Sequence, residues 1–78
     1  MKIEVLGPGC ARCHSLLGVA RQAVARAGLD CEVLEVSNVA EIARRGVLIT
    51  PALIVNGELK CAGKVPGVDE IVAWIQHG

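Results

Sequence analysis

The sequence has no surplus charge of either sign: eight Lys and Arg balance eight Asp and Glu across 78 residues. A nucleic-acid binder needs excess Lys and Arg to displace counterions from phosphates, so that class is set aside, and nothing marks an anionic membrane surface as a partner. No apolar run approaches the roughly 20 residues of a membrane span. No secretory leader is readable, because Glu4 and Arg12 interrupt any apolar stretch of the length such a leader needs. Linkers, low-complexity tracts and internal repeats are also missing. The expectation is a single cytoplasmic domain over residues 1–78. A domain this short buries a modest share of its surface, so its apolar residues, more than half of the chain, must be placed efficiently. Four cysteines in a secreted chain of this size would suggest two staples. Without a leader they point instead to chemistry, metal binding or ordinary packing.

The apolar pattern predicts seven elements. Lys2 to Leu6 reads as a short strand, ended by Gly7-Pro8-Gly9. From Ala11 to Ala27 the apolar positions Cys13, Leu16, Leu17, Ala20, Ala23, Val24 and Ala27 recur at spacings of three and four, one stripe of a helix that Gly28 stops. Cys31 to Val36 reads as a second strand. Asn38, with Glu41 three residues on, offers a capping box for a short helix carrying Val39, Ile42 and Ala43 inward and ending near Gly46. After Pro51 the unbroken run Ala52-Leu53-Ile54-Val55 suits a central strand covered on both faces. Asn56-Gly57 signals a tight hairpin, and Glu58 to Ala62 returns as the fourth strand. Val68, Ile71, Val72 and Ile75 mark a last helix, with the only aromatic residue, Trp74, on its flank.

The order is βαβαββα: a parallel first pair of strands joined by a crossover helix, and an antiparallel hairpin at the end. With a Cys10-Ala11-Arg12-Cys13 motif after strand one and Pro51 entering strand three, the chain resembles the thioredoxin superfamily. Its nearest likeness is to the minimal thioredoxin- and glutaredoxin-like redox-active disulfide proteins. The stretch Gly46-Val47-Leu48-Ile49-Thr50-Pro51-Ala52-Leu53-Ile54-Val55-Asn56-Gly57 is similar to the region around the cis-proline of thioredoxins. The resemblance spans essentially the whole chain and implies an α/β fold with a four-stranded mixed sheet flanked by three helices.

It also implies a chemistry, that of a protein thiol–disulfide oxidoreductase without a cofactor. A CxxC at a helix mouth places its first sulfur near unpaired N–H groups and the positive end of the helix dipole, which favour a thiolate. Cys10 is thus the expected nucleophile. Cys13, on the apolar stripe, is the sheltered thiol that resolves a mixed disulfide. Arg12 adds positive charge. Pro51 is expected to be cis beside the motif, leaving the Thr50 main chain to pair with an extended substrate segment. The implied partners are disulfide-containing proteins and a disulfide reductase as electron donor, with the chain itself a monomer. In this fold the strands carrying Cys31 and Cys61 are opposite sheet edges about 14 Å apart, three spacings of roughly 4.8 Å. A disulfide needs Cα atoms within about 7 Å, so both are expected to stay thiols.

The departures matter as well. Gly9 stands where thioredoxins carry an aromatic, and Ala11-Arg12 replaces their Gly-Pro. Only Gly67 remains of the Gly-Gly-x-Asp turn with which glutaredoxins hold glutathione, and no tyrosine is present, which argues against glutathione as substrate. The competing reading is a soft-metal module that takes copper or zinc on the same CxxC. Such modules usually have Met two residues before the first Cys, where this chain has Pro8, and they run βαββαβ. A non-catalytic interaction domain is a third class, opposed by the presence of both cysteines. His14 is expected to be an ordinary exposed histidine and His77 an uninformative tail residue. Glu4, a charge inside a strand, must either sit at a sheet end or meet a partner.

Overall fold

A computed structural model describes residues 1–77, with side chains through Gln76. The side chain of His77 lies outside the described residues. The elements run β1 (Ile3–Leu6), α1 (Ala11–Ala27), β2 (Val33–Val36), α2 (Val39–Arg44), β3 (Ala52–Val55), β4 (Glu58–Ala62) and α3 (Val68–His77). This is the βαβαββα order read from the sequence. The sheet order is β2-β1-β3-β4. β1 pairs parallel with β2 and antiparallel with β3, and β3 with β4 antiparallel, so the sheet is mixed.

Side-chain alternation assigns the two faces of the sheet. Ile3 and Val5 of β1, with Leu53 and Val55 of β3, face α1 and α3 and pack against Leu16, Ala20, Ile71 and Ile75. Leu6, Ala52 and Ile54 face the other way, against Ile42 of α2 and Val47. Both central strands are buried along their whole length. That double burial explains the unbroken run Ala52-Leu53-Ile54-Val55, and each Leu or Ile so buried contributes about 1.5–3 kcal/mol.

Local chemistry sets the element ends. Gly28 caps α1 in the left-handed conformation, donating its N–H to the Ala25 carbonyl, while Leu29 N–H reaches Val24. Asn56 and Gly57 both have positive φ, the signature of a type I′ turn. Asn56 also ties back to β1: Lys2 N–H donates to Asn56 Oδ1 at 2.9 Å and Asn56 N–H to the Lys2 carbonyl at 2.7 Å. The β3–β4 ladder contains a bulge, since Leu53 faces Cys61 but Ile54 faces Leu59, leaving Lys60 extra.

Three local expectations need correction. The strands begin at Ile3 and Val33, not at Lys2 and Cys31. In α2 only Ile42 is buried, whereas Val39 and Ala43 are exposed. A helix of six residues completes fewer than two turns, so one side chain exhausts the face it can press on the sheet. The capping box is half made: Asn38 Oδ1 accepts from Glu41 N–H at 3.1 Å, but the Glu41 carboxylate turns to Arg44 and Arg45.

Candidate active site

The site assembles where three loops meet at one end of the sheet. β1 stops at Leu6, and Gly7 N–H makes a last bond to the Val36 carbonyl at 2.9 Å before the chain turns into α1. Cys10 is the N-cap residue of α1, with extended backbone, and its Sγ accepts the Cys13 N–H at 3.3 Å. The sulfur therefore does the capping that a Ser or Asp oxygen usually does. No acidic residue occupies the first turn of α1, so nothing there opposes negative charge on that sulfur.

Cys10 and Cys13 are joined in a disulfide, their Cα atoms 5.1 Å apart. Cys10 is exposed and Cys13 is 2 % exposed. The Cys13 side chain owes its space to Gly7, which is buried. A Cβ on Gly7 would collide with Cys13 Sγ and lie 2.7 Å from Cys13 Cβ. Nothing in the sequence pattern marked Gly7 beyond its place in a loop.

The second loop carries the Thr50–Pro51 bond, which is cis. Pro51 is buried and Thr50 half-buried. Pro8 and Thr50 line a common apolar cleft of about 240 Å³, floored by Ile42 and Val47 and edged by Val39 and Leu48. Leu48 is 93 % exposed and Ile49 61 %, so the missing aromatic before the CxxC is matched by exposed aliphatic surface on the other side of the site.

Gly63, just after β4, supplies the third loop. Its N–H donates to the Pro51 carbonyl at 2.8 Å, and its own carbonyl accepts from Arg12 Nη2 at 2.8 Å. Arg12, Thr50 and Pro51 are thus brought to one place, with Gly63 the link that sequence reasoning missed. A lone glycine after a strand carries no signal of such a role.

Glu4 has a partner. It is 5 % exposed, points to the α2 face, and its Oε2 accepts from Arg45 Nη2 at 2.6 Å and Nε at 3.0 Å. The paired carboxylate raises the Arg45 guanidinium above its ordinary range. This ion pair fastens the end of α2 to β1 just ahead of the segment leading to Pro51. Cys31 and Cys61 are free thiols, half-buried and buried. Burial pushes the Cys61 thiol up, partly offset by a backbone hydrogen bond from Leu53. His14 is exposed. Among the described residues no group of three or more His, Cys, Asp or Glu is gathered to hold a metal ion, and no helix is long and apolar enough to cross a membrane.

A cis-proline entering β3 and a bridged cysteine pair at the mouth of α1, on a β2-β1-β3-β4 sheet, define a thioredoxin-like protein. Residues 1–76 match the Thioredoxin domain family, to which the chain therefore belongs. It is 41 % identical over 71 residues to the thioredoxin of Methanothermobacter thermautotrophicus, covering 91 % of this chain and 92 % of that one. It is 35 % identical over 69 residues to the thioredoxin of Methanocaldococcus jannaschii, covering 88 % and 79 % respectively. With Cys10 and Cys13 bridged at the helix mouth, the chain is a thiol–disulfide oxidoreductase.

Proposed function

We propose that this chain exchanges disulfides with protein substrates, Cys10 acting as nucleophile and Cys13 as resolving thiol. One observation carries the reading: Cys10 is an exposed residue whose Sγ receives a helix-mouth N–H, while Cys13 is enclosed. In the reduced protein the Cys10 thiolate attacks one sulfur of the substrate disulfide. The S–S bond breaks, the far sulfur leaves as a thiolate and takes a proton, and a mixed disulfide remains. Cys13 loses its proton and attacks Cys10 Sγ, releasing the second substrate thiol. Two electrons have passed to the substrate, and the Cys10–Cys13 bond now stores the oxidised state. A disulfide reductase, or any dithiol, reverses it.

We extend the proposal to the supporting residues. The Thr50 main chain, at the rim of the apolar cleft, is the edge along which an extended substrate segment lies, and cis Pro51 keeps a backbone donor out of the site. The Arg12 guanidinium donates to the Gly63 carbonyl, and Gly63 in turn donates to the Pro51 carbonyl, so Arg12 sits at the junction of the helix mouth and the Pro51 loop. In this proposal the chain acts on other proteins as a cytoplasmic monomer.

Replacing one cysteine at a time tests this. Cys13→Ser is expected to accumulate a mixed disulfide through Cys10, visible by mass, while Cys10→Ser loses disulfide reduction. A metal module behaves differently: either change abolishes tight Cu(I) or Zn(II) binding and no adduct forms. If Cys13→Ser traps nothing and the unaltered protein binds one equivalent of metal tightly, the exchange reading is wrong.

A further inference from the structure

Gly63 is the one residue hydrogen-bonded, among the described residues, to both the CxxC segment and the cis-proline segment. Its carbonyl accepts from Arg12 Nη2 and its N–H donates to the Pro51 carbonyl, each at 2.8 Å. It also abuts the residue leading to Thr50, since a Cβ on Gly63 would lie 2.8 Å from Ile49 Cγ2. With φ at +81°, Gly63 holds a conformation that suits glycine, turning both its polar groups to use at once. Arg12 projects from the first turn of α1, two residues past Cys10. Its long side chain is therefore a strut from the nucleophile's helix, through Gly63, to the strand-entry loop at Pro51.

We propose that Arg12 is a positioning residue for substrate docking, holding the Thr50–Pro51 edge at a fixed distance from Cys10. Its charge is secondary: the guanidinium is committed to a carbonyl oxygen on the Gly63 corner. The proposal rests on the exchange reading above and adds a selectivity to it. Extended polypeptide disulfides, which must reach Cys10 and lie along Thr50 together, depend on the strut. Small disulfides, which need only the Cys10 sulfur, depend on it much less.

The test compares a short peptide cystine dimer with bis(2-hydroxyethyl) disulfide as substrates, dithiothreitol regenerating the dithiol. Three proteins are measured: unaltered, Arg12→Ala and Gly63→Ala. Arg12→Ala removes strut and charge together. Gly63→Ala keeps the charge but displaces the acceptor, because an Ala Cβ meets Ile49 and disfavours the positive φ. In both variants kcat/KM for the peptide is expected to fall roughly threefold to tenfold further than for the small disulfide, the net worth of one hydrogen bond, and mainly through KM. Arg12 is exposed, so its replacement does not threaten folding, and the thermal midpoint checks Gly63→Ala. A parallel loss on both substrates in Arg12→Ala, with the Cys10 pKa raised and Gly63→Ala unaffected, would make Arg12 a charge donor only and overturn the proposal. Failure of the unaltered protein to reduce either substrate would instead overturn the exchange reading beneath it.

Discussion

Gly7→Ala isolates the space around the resolving thiol. Gly7 is not among the residues with positive φ, so alanine fits its backbone and the cost is collision alone. The new Cβ would press on Cys13 Sγ and lie 2.7 Å from Cys13 Cβ and 3.8 Å from Cys13 Cα. Overpacking of this kind costs about 1–3 kcal/mol. Replacing glycine returns about 0.4–1 kcal/mol by restricting the unfolded chain. The net loss is about 1 kcal/mol, which in a domain of this size lowers Tm by roughly 4–8 °C. The loss should not be equal in the two redox states. The disulfide pins the Cys13 sulfur against the intruding methyl, whereas a free thiol can rotate away. If reduction relieves about 0.7 kcal/mol, the reduction potential rises by about 15 mV, toward a more oxidising protein. Thermal unfolding with and without dithiothreitol, beside redox titration against glutathione, measures both quantities. An unchanged Tm in both states, or a potential that moves downward, would show that Gly7 does not set the room for Cys13.

Two further predictions concern the scaffold. Ile71→Ala, at a fully buried position where α3 meets the sheet, should cost about 2–5 kcal/mol in urea unfolding. Arg26→Ala, which breaks the exposed 2.8 Å pair with Asp69 between α1 and α3, should cost under about 1 kcal/mol. Equal losses would mean that α3 is held by charge and not by its apolar stripe. Cys61 gives a pH dependence. Its native thiol is raised by burial, so at alkaline pH the unfolded chain releases a proton that the folded chain keeps. Stability from this residue is complete below the free-thiol value of about 8.5 and falls as pH rises through and beyond it. Cys61→Val should flatten that alkaline decline in the oxidised protein. An unaltered slope would place the titration elsewhere.

Much of this protein is written in local sequence. The stripe from Cys13 to Val24 defines α1 and buries Cys13, because a helix repeats its faces every three to four residues wherever it sits. Gly28, Asn56-Gly57 and the run after Pro51 mark their turns and strand through backbone freedom and burial alone. The spacing of Cys10 and Cys13, met by a helix start, already points to the redox pair. What remained invisible joins residues far apart in the chain. Glu4 and Arg45 are separated by 41 positions, Arg12 and Gly63 by 51. Periodicity reports which way a side chain faces on its own element, not what waits across the gap. Glu4 could thus be recognised as a charge inside a strand, but its partner was set by the α2 end docking on that face of the sheet. Gly63 looked like any glycine after a strand. Only the antiparallel return of β4 beside β3 carried it to Pro51, and only the seating of α1 on the sheet brought Arg12 within reach of its carbonyl.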